Sequence, residues 1–309
     1  MSDRRRFLKE AAMLGGAALL HGAPASAAGT PAEPAQELPA WLRGKPLLQW
    51  IQIPSTRQTD SADVLHDLVA AGYTNRSWGD VGWGESPRNG TFAFSGGALR
   101  IADSLLLSFG GGGATWAGNE VRALRLSDDA PRWFCAVKPA KVSGVWPKAA
   151  RNSSAYNPDG SPISRHSYWQ PQFNNARDEF MAFGAQNVWS ADKGTYYNVD
   201  AVPLGSGVWR PHGYYGDQHP FPRWDGAWIC KHPVTEDVYC ATSHYIQPWD
   251  AKTGRWGGVT IDTSWVDLDR GCAAVDPVRN RIFRIGPKSG RGADAPGYID
   301  IALRSYLDV

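Results

Sequence analysis

From about residue 47 onward, the chain alternates between short apolar runs and clusters of turn residues. The runs are rich in Val, Ile, Phe, Tyr and Trp, and Asp, Asn, Pro or Gly closes them. That pattern predicts β-strands joined by tight turns. One segment departs from it. Over residues 61–71, Val64, Leu65, Leu68 and Val69 form a stripe at helical spacing, Asp60 or Ser61 can cap it, and Gly72 can stop it. This is the one clear helical segment in the pattern.

The strand–turn–strand segments repeat when laid side by side. Residues 173–184 and 275–286 agree in residue type at nearly every position, from Phe173 and Val275 to Gly184 and Gly286. Residues 231–240 form a third copy, with Thr242 where the others carry Gly. Residues 101–110 form a looser fourth. Each copy leads to a further strand and then, in three cases, to a Trp: Trp133, Trp209 and Trp256. The copy over 275–286 continues into residues 298–303 near the chain end. Units of about four antiparallel strands recurring at 44 to 74 residues are the signature of propeller blades. The predicted fold is all-β: a β-propeller of four-stranded antiparallel blades, with at least four blades countable and five to seven left open. A β-sandwich or β-helix is the alternative. Residues 47–53, with Trp50, are a candidate extra N-terminal strand, and residues 298–303 are read as the outer strand of the last unit. No incomplete blade visibly awaits closure, so either some blades have diverged or the chain is shortened.

Composition agrees with this reading. Of 309 residues, 34 are Gly and 22 Pro with no three-residue period, which excludes collagen and favours many turns. A hydrophobic fraction of 42% with 20% charged residues excludes wholesale disorder. Fifteen Trp are several times an ordinary share. Trp133, Trp209, Trp256 and Trp50 fit blade ends, whereas Trp78, Trp83, Trp116, Trp169, Trp189 and Trp224 fall in predicted loops.

The N-terminus reads as a targeting segment. Asp3-Arg4-Arg5-Arg6-Phe7-Leu8-Lys9 precedes a mildly apolar stretch and then Ala25-Ser26-Ala27, a small-x-small cleavage site. The paired arginines resemble a bacterial twin-arginine export signal, which implies a periplasmic or secreted protein. The expected organisation is a signal peptide over 1–27, a Pro/Ala-rich linker over 28–45 and a propeller over 46–309. Residues 1–27 hold four basic and two acidic side chains, so the rest of the chain carries 28 of each sign. A neutral chain without a basic run makes nucleic acid and anionic membranes poor partners. No later segment reaches 18 apolar residues, so no membrane span is expected after signal removal. Cys135, Cys230, Cys240 and Cys272 have no metal-like spacing. Cys230 and Cys240 flank one predicted turn, either as a cross-hairpin disulfide or as buried free thiols.

A family resemblance rests on particular residues. Leu106-Leu107-Ser108-Phe109 followed by Gly110 to Gly113, then Asn119-Glu120-Val121, then Trp133, is similar to the kelch motif. Ser164-Arg165-His166-Ser167-Tyr168 looks like the Arg-His entry of such blades. The chain therefore resembles the kelch and galactose oxidase-like β-propellers over about residues 46–309. Ser190-Ala191-Asp192-Lys193-Gly194 resembles a sialidase Asp-box turn, a structural element that supports a propeller and not a sialidase.

In such folds, sites lie on loops at the mouth of the central channel. Three clusters fall between predicted strands: Arg165, His166, Tyr168 and Trp169; then His212, Tyr214, Tyr215 and His219; then His244 and Tyr245. These ten are the ligand-binding candidates. His232 occupies a repeat turn and reads as structural. The resemblance to galactose oxidase would imply copper held by His and Tyr, with His166, Tyr168, His212 and His244 as ligands and Cys135 as the cross-linking thiol. No adjacent Tyr-His pair of that family's order is found, since His244-Tyr245 is reversed. Nucleophile-elbow, phosphate-loop, zinc-protease and EF-hand motifs are absent, and no paired carboxylates can be argued. The expected activity is binding of a carbohydrate or protein partner at the channel mouth. The alternative is a copper-radical oxidase or another carbohydrate-active propeller enzyme.

Overall fold

The computed structural model describes residues 38–46, 49–53, 95–110, 119–140, 156–157, 159–165, 167–168, 170–186, 195–215, 228–241, 245–257, 261–262, 272–285, 297–301 and 305–308. The signal over 1–27, the helix over 61–71 and the six loop tryptophans lie outside them.

Sixteen strands form four antiparallel sheets among the described residues, and no helix occurs there. Sheet one contains β1 (Gly96–Arg100), β2 (Leu105–Phe109), β3 (Val121–Arg125) and β4 (Trp133–Val137). Sheet two contains β5 (Pro171–Asn174), β6 (Glu179–Gln186) and β7 (Thr195–Pro203). Sheet three contains β8 (Ile229–Lys231), β9 (Val238–Ala241) and β10 (Tyr245–Asp250); β11 (Arg255–Trp256) and β12 (Ile261–Asp262) share its outer edge. Sheet four contains β13 (Cys272–Asp276), β14 (Arg281–Ile285), β15 (Gly297–Asp300) and β16 (Ser305–Asp308). In each sheet the strands run as a meander in chain order, except that β12 pairs back on β10 in sheet three.

The predicted four-strand unit holds in sheets one and four. In sheet two the fourth place is taken by irregular chain, where the Arg210 N–H donates to the Ala201 carbonyl at 2.8 Å. Two expectations need correcting. The outer strand of the last sheet is Ser305–Asp308, while Tyr298 lies on the third strand. Residues 49–53 are not a strand, and Trp50 is fully exposed instead of packed in a blade. At the predicted linker, Trp41 donates from Nε1 to the Leu126 and Asp128 carbonyls, so the end of that stretch docks on the turn between β3 and β4.

All four repeat copies are hairpins joining the first two strands of a sheet. Each turn contains one non-glycine residue with positive φ near its exit: Ser104 (52°), Asp178 (53°), Glu236 (68°) and Asn280 (54°). Short polar residues tolerate this left-handed conformation best, which explains Asp, Asn and Ser at three of the four. The turn entries share a second device. Asn174 Oδ1 accepts the Arg177 N–H, and Asp276 Oδ1 accepts the Val278 and Arg279 N–H groups. His232 Nδ1 stands in the same place, accepting the Val234 and Thr235 N–H groups at 3.1 Å each. The histidine imitates an Asx turn, and Nδ1 must be the unprotonated ring nitrogen. Its structural role therefore follows from the pattern of its relatives.

Packing proceeds from sheet to sheet in chain order. Phe180, Ala182 and Val202 of sheet two join Leu107, Phe109, Val121 and Ala123 of sheet one. The alternate residues Met181, Phe183, Val199 and Ala201 join Ile229, Val238, Cys240 and Trp249 of sheet three. Cys230, Tyr239 and Ile246 then face Ile282 of sheet four. Side chains alternate across a strand, so sheets buried on both faces need nearly continuous apolar strands such as Phe180-Met181-Ala182-Phe183. Each fully buried Phe contributes roughly 1.5–3 kcal/mol relative to exposure. Between sheets, the close approaches run from β1 to β5 and from β8 to β13. Lys231 Nζ ties β8 to β5 at the Phe173 carbonyl, 2.6 Å away. The first strands are thus the inner edges of a fan.

Register settles the cysteines. Cys230 lies opposite Tyr239, and Cys240 opposite Ile229. The two thiols point to opposite faces of sheet three, are buried and free, and form no disulfide.

Candidate functional site

Strand direction divides the molecule into two ends. One carries the hairpins between first and second strands and the turns between third and fourth. It is closed by bonds running from sheet to sheet. Ile101 N–H donates to Asn175 Oδ1, Arg100 Nε lies 3.0 Å from Asp178 Oδ1, and Asn175 donates from its backbone and side chain to Glu236. Arg177 reaches the Ala251 and Lys252 carbonyls. The opposite end carries the connections from second to third strands and from each sheet to the next.

Arg165 belongs to the loop end, on the segment that crosses from sheet one to sheet two. It does not face solvent. Its side chain is 0% exposed, and Nη2 lies 2.5 Å from Asp200 Oδ2 on β7. Asp200 Oδ1 accepts the Tyr156 hydroxyl at 2.8 Å, and the guanidinium lies 5.9 Å from the Phe109 ring centroid. The crossing segment is pinned on both sides. Ser167 Oγ donates to the Phe109 carbonyl at 2.6 Å and accepts the Gly96 N–H at 2.9 Å, while Asn119 Nδ2 donates to Ser161 Oγ and the Pro162 carbonyl. Arg122 is likewise buried, reaching the Gly110 carbonyl and lying 3.5 Å from Glu120. Burial lowers the pKa of Arg122, and the charges of Glu120 and Cys135 oppose that shift. Sequence reasoning chose Arg165 but missed its partner Asp200. The available signal was a charge inside the apolar run Val199-Asp200-Ala201-Val202.

Tyr214 and Tyr215 are not at the loop end. Tyr215 is buried between sheets two and three on the turn side, against Trp249 at 5.5 Å and beside Gly254. Its hydroxyl donates to Glu179 Oε2, and Arg210 donates from Nε and Nη2 to Oε1 at 2.9 and 2.6 Å. Burial first, then the bond to Glu179, raises the Tyr215 pKa strongly. The bond to Glu179 is also the main cause holding Arg210 above its ordinary value. Glu179 and Arg210 were not foreseen. His212 is exposed on the turn before Tyr214, with its ring 4.5 Å from that of Tyr156. Tyr168 is half-buried at the loop end, at φ 30°. His166, Trp169, His219 and His244 lie outside the described residues. Tyr245 is placed only by its backbone, in β10 opposite Asp262.

Of the copper ligands that the resemblance implies, Tyr168 and His212 lie among the described residues, while His166 and His244 lie outside them. No group of three His, Cys, Asp or Glu among the described residues could hold a metal. Cys135, the expected cross-linking thiol, sits on β4 at the outer edge of sheet one, opposite Arg122, away from the inner strands.

Four consecutive antiparallel meanders, packed face to face with their first strands converging, define a β-propeller. No family model and no curated protein matches the chain. Among solved structures it is similar to one described as "Structure of YjhT", at 13% identity and a TM-score of 0.44. That match covers 70% of this chain and spans 65% of the other.

Proposed function

We propose that the chain is an exported, kelch-like β-propeller that binds a carbohydrate or a protein partner at its loop end. The observation that carries this reading is the contrast between the two ends. Turn-end hairpins are short and latched to one another, whereas most loop-end connections are longer, and together they carry many of the chain's aromatic and His residues. Binding residues concentrate on loops held by a rigid scaffold. The kelch reading is supported by Gly110, just after the second strand of sheet one, and Gly184, at the bulge in the second strand of sheet two, which both take positive φ. Trp133 and Trp256 on outer strands support it too. The buried Arg165–Asp200 pair fixes the crossing segment, so recognition falls to other loop-end candidates: Tyr168 and, outside the described residues, His166 and His244.

Titration of the secreted protein's Trp fluorescence against a glycan panel tests the reading. A saturable response that His166→Ala or His244→Ala weakens is expected. Binding indifferent to every loop-end substitution would overturn it. A flat response across sugars would leave the protein partner, to be sought by cross-linking from the same loops. Export predicts that the mature protein begins after Ala27, which intact mass measures directly.

A further inference from the structure

The second aromatic cluster has the construction of a binding platform. Chain leaving sheet two makes a β-turn in which the Tyr214 N–H donates to the Pro211 carbonyl at 3.0 Å, with Gly213 at φ 75°. The turn presents Tyr214 as a 49% exposed residue. The ring is held from two directions: Arg210 lies 4.8 Å from its centroid, and Tyr215 meets it edge-on at 4.9 Å. Both supports are locked to one buried carboxylate, Glu179. Tyr215 is backed in turn by Trp249. A half-exposed ring on supports this rigid loses little conformational entropy when a ligand covers it.

We infer that Tyr214 is a stacking platform for a neutral pyranose, separate from the loop end. The chemistry selects that ligand by elimination. An anion would have to compete with Glu179, which already holds Arg210. A cation would approach a ring whose quadrupole already serves the Arg210 charge, and would be repelled by it. An uncharged sugar presents one flat C–H face to one flat ring and its hydroxyls to polar neighbours, of which exposed His212 is on the same turn. The site does not depend on the loop-end proposal, because the groups that hold the Tyr214 ring, Arg210 and Tyr215, are anchored on Glu179 at the turn-end start of β6.

Saturation-transfer NMR of the whole mature protein tests this with methyl β-D-glucopyranoside and methyl β-D-galactopyranoside as probes. Transfer concentrated on the C–H protons of one sugar face is expected. Tyr214→Ala should weaken binding about tenfold, and Tyr214→Trp should retain it. Tyr214→Leu, which keeps apolar bulk against Arg210 but lacks an aromatic face, should show the same loss as the alanine variant. His166→Ala and His244→Ala should leave this binding intact, which separates it from the loop-end site. No transfer to either glycoside, wild-type binding by Tyr214→Leu, or displacement of the sugar by choline would overturn the inference.

Discussion

Replacing Gly110 with alanine should cost far more than its surroundings in sequence suggest. Gly110 ends β2 at φ 76°, and a Cβ built there would fall well inside 3.0 Å of the Arg165 carbonyl oxygen. Two terms add. An L-residue in the left-handed region costs roughly 1–2 kcal/mol. Crowding a rigid backbone neighbour costs roughly 1–3 kcal/mol more, since the Arg165 segment cannot retreat without disturbing Ser167 and the buried Asp200 pair. Gly160 is an internal control, with φ 83° and nothing within 4 Å of its Cβ position. Gly160→Ala should show the first term alone. Urea unfolding followed by Trp fluorescence gives both values. The gap between the variants, roughly 2 kcal/mol, should appear as about 4–8 °C in thermal midpoint. Equal destabilisation of the two would refute the close-approach argument and leave only backbone strain at Gly110.

Asp200→Ala should destabilise by about 3–5 kcal/mol, because it strands the buried Arg165 charge; a double variant with Arg165→Met should recover most of that loss in the same assay. His232→Asn should fold with near wild-type stability, since its relatives use Asn and Asp, whereas His232→Ala should lose about 1 kcal/mol through two uncapped N–H groups, measured by denaturant midpoint. Native thiol titration should find exposed Cys272 reactive and Cys230 and Cys240 silent until unfolding, because burial raises both pKa values and blocks access. Burial, helped by the charges of Asp237 and Cys230, pushes Tyr239 up from 10.0 to about 12. The folded state therefore favours its neutral form. That contribution is complete below pH 10 and is lost as pH rises from 10 to 12. Absorbance at 295 nm should show Tyr239 and Tyr215 ionising with unfolding; their ionisation in the folded state near pH 10 would contradict the burial.

Much of the scaffold was legible because its determinants are local. Asp178 and Asn280 report turn geometry through their own tolerance of positive φ, and Phe173, Phe180 and Phe183 report strands through spacing. The repeat added what no single segment could, placing His232 by analogy with Asn174 and Asp276. The site was less legible. Arg165 looks like a recognition residue beside His166 and Tyr168, yet its side chain passes between sheets to meet a carboxylate 35 positions away. Tyr214 and His212 share a turn, but Tyr214 is drawn to the turn side by Glu179 through Arg210 and Tyr215.

The amino-acid sequence by itself therefore determined the strands, the hairpins and their order, since these depend on backbone preference and alternation within a few residues. Tertiary structure decided which face each strand turns to which neighbour. A one-residue register places Cys230 and Cys240 back to back, and the packing of sheet on sheet pairs Arg165 with Asp200 and gathers Arg210 and Tyr215 on Glu179. Those pairings join residues far apart in the chain, and burial removes the water that would otherwise satisfy their charges. No local pattern records them.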